Sequence, residues 1–248
     1  MTSSVGLDPR QVEHNRVWAA KKTLRLIYGD YHRRLMSVCP VGPLLDIGAG
    51  IGHAKQHRPD MLSVDILQFP GIDVVCDAQR LPFLPGHFSG IAMLDVLHHL
   101  ERPLDFLHEA SRILRPGGVL AMIEPGMSPV AYPFYRFLHE EPADTGCDPF
   151  VPVISEGTRD PFDANQAIPT VLFREENRKR LQELLPDLAV RQTEWLSVAA
   201  FPLSGGFKSW CLLPASLTER TIQAENLLPG WVRRLFGFRI MVVLQKVA

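Results

Sequence analysis

The chain of 248 residues lacks the marks of several specialised protein classes. Its 4 cysteines, Cys39, Cys76, Cys147 and Cys211, form no C-x-x-C pair. That removes zinc-ribbon and thioredoxin-type spacings and points to a reducing compartment with no metal site. Neither charge is in excess: 26 Lys plus Arg against 27 Asp plus Glu leave −1, so there is no global positive field for a nucleic-acid backbone. No apolar run approaches about 18 residues, so no transmembrane helix is expected. The polar start, MTSSVGLDPRQVEHNR, has no apolar h-region of a secretory signal. Internal repeats and low-complexity segments are absent. A cytoplasmic protein is the expectation, and the sequence carries no sign of an oligomeric state.

What the chain does have is apolar residues, 46% of the total, enough for a substantial core. They alternate between two periods. Over 11–38, Val12, Trp18, Leu24, Ile27, Tyr31 and Leu35 share one helical face, and Pro40, Gly42 and Pro43 stop it. Short apolar runs follow: strands at 44–47, 61–65, 72–76 and 91–94, then a helix over 103–114, a turn at RPGG (115–118) and a strand over 119–123. Further on, the pattern predicts a helix over 171–185, a strand over 188–201, a helix over 214–228 and a final strand over 238–246. Alternation of this kind predicts an α/β fold: a seven-stranded, mostly parallel sheet wrapped by helices, with the last strand antiparallel. Only LQFPG joins the second strand to the third, so the usual crossover helix should be missing there. The domain reading is one domain over 1–248, a helical cap over 10–38, and lid segments over 125–170 and 202–236.

The stretch LLDIGAGIGH (44–53) sets glycines at 48, 50 and 52, a G-x-G-x-G turn after a strand. A nicotinamide fingerprint would read G-x-G-x-x-G. Glycines here let backbone approach a ligand at the C-terminal edge of the sheet, where doubly wound folds bind. Taken singly, such glycines are also plain turn residues.

With the turn, LSVD, CDAQRLPF and VLHHL in order, the chain resembles the class I S-adenosylmethionine-dependent methyltransferases, in particular the small-molecule branch, from about residue 44 to 125. The resemblance implies a Rossmann-like fold and S-adenosylmethionine as cofactor. Asp46, Gly48, Ala49, Gly50 and Gly52 would form the turn beneath it. Asp65 would accept from the ribose hydroxyls, and Ile66 would lie against the adenine. Asp77 and Ala78 would meet the adenine edge, and Leu94 and Asp95 the methionine end. A missing crossover helix would leave the adenine side more open.

The chemistry implied is in-line displacement at a methyl on a sulfonium, for which the protein aligns the acceptor and excludes water. His98 matches the position where phenolic O-methyltransferases with an LHDW-type motif carry a catalytic histidine, although His99 and Leu100 stand in place of that Asp and Trp. A helix-capping role for His98 is the other reading. Glu124 ends the fifth strand on the same crevice. In the insertion, Tyr132, Tyr135, His139, Glu140 and Glu141 are candidate pocket residues. Asn165 and Gln166 either bind substrate or cap a helix.

The fourth-strand region lacks the Pro-Pro-aromatic signature of base-directed amine methyltransferases. With the balanced charge, this favours a small-molecule acceptor, methylated on oxygen or nitrogen, over nucleic acid. For LLPGWVRRLFGF, a packing turn is expected over a membrane-surface contact. Two alternatives keep the same pocket: displacement at another carbon of the sulfonium, or a non-catalytic partner subunit. A nicotinamide oxidoreductase would need the glycine spacing that is absent.

Overall fold

Two helices fill the N-terminal segment where one was expected over 11–38. In the computed structural model, which describes residues 8–50, 52–152 and 160–247, α1 spans Pro9–Ala20 and α2 spans Lys22–Val38. Asp8 caps α1 by accepting from the Arg10 N–H at 2.8 Å, with proline at the first helical position. The break falls at Lys21, whose backbone is extended (φ −104°, ψ 93°). Its ammonium donates to the carbonyls of Ser204, Gly206, Lys208 and Trp210 at 2.6–3.0 Å. This long-range clamp overrides the helical periodicity. Beyond it, α2 buries Leu24, Ile27, Tyr31 and Leu35 against Ala92, Ala121, Ile123 and Met241 of the sheet. It is therefore a layer of the fold.

The strands follow as β1 (Leu44–Ile47), β2 (Leu62–Asp65), β3 (Val74–Val75) and β4 (Phe88–Leu94). Helix α3 (Pro103–Ile113) leads to β5 (Leu114–Pro125), then α4 (Ala131–Leu138), α5 (Ile168–Leu172) and α6 (Arg178–Leu184). The chain closes with β6 (Leu188–Leu196), α7 (Ala200–Ser204), α8 (Ala215–Asn226), α9 (Gly230–Phe236) and β7 (Arg239–Lys246). The sheet order is β3-β2-β1-β4-β5-β7-β6. All strands run parallel except β7, which is antiparallel to both β5 and β6. This is the seven-stranded, mostly parallel sheet expected. Residues 66–72 contain no helix, as the short LQFPG link required.

Several boundaries differ from expectation. RPGG is not a turn outside the strand. It is a bulge inside β5, where pairing jumps from Phe88↔Leu114 to Gly90↔Val119. The strand expected over 188–201 ends at Leu196, because Ser197 turns left-handed (φ 58°) and its hydroxyl bonds the Tyr31 hydroxyl at 2.5 Å. The helix expected over 171–185 is α5, a short 3₁₀ turn at Glu175–Asn177, and α6. The third strand is only two residues long. The central core joins Leu45, Ile47, Met93 and Leu120 of the sheet to Phe106, Leu107 and Ala110 of α3. Strand order reverses at β1 and β4, so a crevice opens above their C-terminal ends. Among the described residues no helix is long and apolar enough to cross a membrane.

Candidate active site

A cavity of about 980 Å³ lies over that crevice. Residues of α1 and α2, the α4 C-terminus and the 201–210 segment line it from above. Every residue expected to hold a cofactor lines it except Gly52. Gly52 is left-handed (φ 73°) and faces the Gly71 backbone instead. Ile51 lies outside the described residues.

The glycine turn divides its labour. At Gly48 (φ 65°), an added Cβ would overlap Val96, so this glycine lets the turn pack on the loop after β4. At Gly50 (φ 54°), the nearest atom to an added Cβ is the Gly48 carbonyl oxygen at 4.0 Å, so this glycine faces open cavity. Asp65, at the end of β2, accepts from the Gly50 N–H at 2.8 Å and the Leu67 N–H at 2.9 Å, one on each oxygen. Burial raises its pKa, against those two amides. Asp46 is buried and accepts no hydrogen bond among the described residues. Burial, then the nearby Asp65 charge, pushes it up to about 7. Ile66 is half exposed beside them. Asp77 is turned back on its own chain, accepting from the Gln79 N–H at 2.8 Å.

The other end is built on Asp95 and Glu124. Asp95 follows β4 in a left-handed conformation (φ 58°), which Asp tolerates better than most residues. It accepts from the Tyr28 hydroxyl at 2.8 Å and from both terminal nitrogens of Arg239. Burial would raise its pKa, but the Arg239 guanidinium holds it below the usual carboxylate range. Arg239, 4% exposed, is the first residue of β7 and lies 3.9 Å over the Phe201 ring.

Glu124, fully buried near the end of β5, accepts from the Val96 and Leu97 N–H groups at 2.9 and 2.8 Å on Oε1. Its Oε2 stands 2.7 Å from His98 Nδ1. Burial and the Asp95 charge push Glu124 up to about 7, and burial pushes His98 down to about 4. Burial thus works against a charge on either group. The two amides on Oε1 favour the carboxylate, which sets Nδ1–H toward Glu124 and leaves Nε2 with its lone pair.

The insertion residues separate. His139 and Glu140 line the cavity, and Glu140 pairs at the rim with Lys208. Tyr135 lines it with its ring, while its hydroxyl donates to the Phe238 carbonyl at 3.1 Å, away from any ligand. Tyr132 does not line the cavity and packs with the Met127–Phe238 cluster. Glu141 stands 3.9 Å from His98 Nε2, accepts from Gln166, and is pushed up to about 7 by burial and Asp95. His98, His99 and Glu141 bring ligand-type atoms within 4.8 Å of one another, a spacing compatible with a divalent cation. Sequence reasoning missed Tyr28 and Arg239. The one available signal was an arginine opening an otherwise apolar strand, FRIMVVL.

Comparison with known proteins places this geometry. Residues 53–122 match the family model of the methyltransferase domain. A curated relative, the ubiquinone/menaquinone biosynthesis C-methyltransferase UbiE of Desulfotalea psychrophila, is 28% identical over 116 residues, 39% of this chain and 47% of that protein. The chain thus spans about half the length of the curated relative it matches. A solved structure from Thermotoga maritima, a SAM-dependent methyltransferase and possible histamine N-methyltransferase, aligns with a TM-score of 0.57 at 16% identity, over 96% of this chain and 97% of that one. The geranyl diphosphate C-methyltransferase of Streptomyces coelicolor, solved with Mg²⁺, geranyl diphosphate and S-adenosyl-L-homocysteine, aligns at 0.50 with 14% identity, over 88% and 77%. The fold is that of the solved methyltransferase structure from Thermotoga maritima, and residues 53–122 are similar to a methyltransferase domain.

The residues present fit S-adenosylmethionine. Gly50 leaves open the space a side chain would fill. Asp65 has acceptor capacity left on both oxygens for a pair of hydroxyls. Buried Asp46 lacks a donor, and Ile66 offers an apolar face.

Proposed function

We propose that the chain transfers the methyl group of S-adenosylmethionine to the oxygen or nitrogen of a small-molecule acceptor held in the 980 Å³ cavity, with His98 as the general base and Glu124 orienting it. The observation that carries this reading is His98, in the wall of the cavity that Asp65 and the glycine turn also line, with Glu124 behind it 2.7 Å from Nδ1. When bound, the cofactor supplies a methyl on a positively charged sulfur, ready for displacement.

The residues of this chain do the rest. Gly48, Ala49 and Gly50 seat the ligand against backbone. Asp65 holds hydroxyls, and Ile66 and Ala78 hold an apolar ring. Asp95, fixed by Tyr28 and Arg239, sets the wall beside Leu94. His98 Nε2 takes the acceptor's proton as the new bond forms, while Nδ1–H stays on Glu124. The apolar and aromatic groups of the 134–141 and 201–210 segments exclude water from the transfer.

A second reading, transfer to carbon, is favoured by the curated relative, whose name is that of a C-methyltransferase. His98 would then take the proton of an acidified C–H. The test is a screen of hydroxyl, amine and carbon-acid acceptors with S-adenosylmethionine, read by mass spectrometry. S-adenosylhomocysteine plus a methylated acceptor is the expected outcome. Methylthioadenosine would replace methyl transfer by displacement at another carbon, and NMR of the product assigns the methylated atom.

A further inference from the structure

A second, smaller cavity of about 280 Å³ lies beside α2, and among the described residues no carboxylate lines it. Its walls carry Lys22, Arg25 and Arg33 with the imidazoles of His32, His53 and His57. Lys22 has no ion pair among the described residues. Arg25 spends its hydrogen bonds on the Trp18 and Ala19 carbonyls, both at 2.6 Å, which fixes the guanidinium without neutralising it. Arg33 has only Asp30 at 3.8 Å, and Arg34 already holds that carboxylate at 2.6 Å. Lys22 and Arg25 are therefore uncompensated and Arg33 is only partly paired, which leaves between two and three positive charges.

Two further observations point to a ligand. His32, 6% exposed at the cavity wall, makes no hydrogen bond among the described residues, and His53 Nε2 is buried without a partner. Burial and the neighbouring imidazoles push His32 down to about 4. An anion would supply the missing acceptor for both rings. Gly29 is the second. It sits inside α2, where glycine is the poorest helix former short of proline. Nothing close requires it: an added Cβ would meet Arg33 Nη1 at 3.5 Å and the His57 ring at 3.6 Å, ordinary contact. What the glycine preserves is the space between the Arg33 guanidinium and the His57 ring.

We infer that this pocket binds a phosphate-bearing small anion, clasped by Lys22, Arg25 and Arg33 above the His32 ring. A multiply charged phosphate balances these two to three positives, where a single carboxylate would leave at least one unpaired. The volume admits a pyrophosphate or a phosphate ester. The His53 ring, stacked on Trp18 with centroids 3.7 Å apart, forms the partition from the larger cavity, because Trp18, His32 and His53 line both. The site does not rest on the methyl-transfer reading.

Calorimetric titration of the full chain with inorganic pyrophosphate at low salt, with and without S-adenosylhomocysteine, tests it. One saturable site is expected in both conditions. Lys22→Gln/Arg33→Gln should weaken it at least ~10-fold, because charge-assisted hydrogen bonds are lost. Gly29→Ala should weaken it as well while the thermal midpoint holds or rises, which separates filling the pocket from unfolding the helix. Absence of saturable binding, affinity unchanged from the unsubstituted chain in Gly29→Ala or in the charge variant, or displacement by S-adenosylhomocysteine would each overturn the assignment. Displacement would give the pocket to the larger cavity's own ligand.

Discussion

Glu124→Gln is nearly isosteric, yet it should disable the proposed base. The Gln oxygen can keep the Val96 and Leu97 N–H groups that Oε1 accepts at 2.9 and 2.8 Å. The amide nitrogen then replaces Oε2, 2.7 Å from His98 Nδ1. A donor in that place forces Nδ1 to accept, so the imidazole proton moves to Nε2. An Nε2–H cannot take a proton from the acceptor. Loss of a general base lowers rates by about 10²–10⁴-fold, or roughly 3–5 kcal/mol of transition-state stabilisation at about 1.36 kcal/mol per decade. The hydrogen bonds are conserved in number, so folding stability should change by no more than about 1 kcal/mol. Glu124 does not line the cavity, so S-adenosylhomocysteine affinity should stay near that of the unsubstituted protein. The assay is single-turnover formation of S-adenosylhomocysteine with the acceptor found by the product screen, beside calorimetry of S-adenosylhomocysteine. His98→Ala sets the floor, and Glu124→Gln should fall close to it. A folded Glu124→Gln protein with intact ligand affinity and near-full turnover would refute the dyad.

Other substitutions test the scaffold. Gly48→Ala meets both a left-handed backbone (φ 65°) and Val96, so denaturant unfolding should show a loss of about 2–4 kcal/mol, with partial recovery in Gly48→Ala/Val96→Ala. Asp46 titrates near 7 in the folded chain against about 3.9 unfolded, so the folded state binds the extra proton and this group's contribution falls as pH rises from about 4 to about 7. Asp46→Asn should therefore gain stability relative to the unsubstituted, unliganded protein between pH 5 and pH 8, by up to about 3–4 kcal/mol. A pH-independent difference in denaturant unfolding would contradict that sign. Arg239→Leu leaves Asp95 without its cation and should cost about 3–5 kcal/mol by thermal or denaturant unfolding, much of it recovered by Asp95→Asn in the double variant.

The sheet was legible because β1, β2 and β4 each carry local evidence, a short apolar run ended by Gly or Asp, with a reversed final strand that is nearly all apolar. The glycine turn and Asp65 were legible for the same local reason. Lys21 was not, since its four carbonyl partners lie more than 180 residues away and only folding brings them together. Nor was the bulge at RPGG, whose residues read equally well as a turn. His98 was visible as a residue following the fourth strand and Glu124 as one ending the fifth. Their 2.7 Å contact depends on β4 and β5 being neighbours, with Leu94 opposite Ile123. Tyr132 and Tyr135 look alike in AYPFYRF, but helix α4 turns one ring and the other hydroxyl toward the protein interior. Aromatic composition alone cannot tell a pocket wall from core.

Calorimetric titration of S-adenosylhomocysteine into the full chain and into Asp65→Ala tests the central claim, that the cavity over β1, β2 and β4 is the cofactor site. The account predicts one saturable site in the unsubstituted chain, weakened in Asp65→Ala by roughly 1.5–3 kcal/mol, the range for hydrogen bonds to a charged group. No saturable binding, or the same affinity in a folded Asp65→Ala protein, would contradict it.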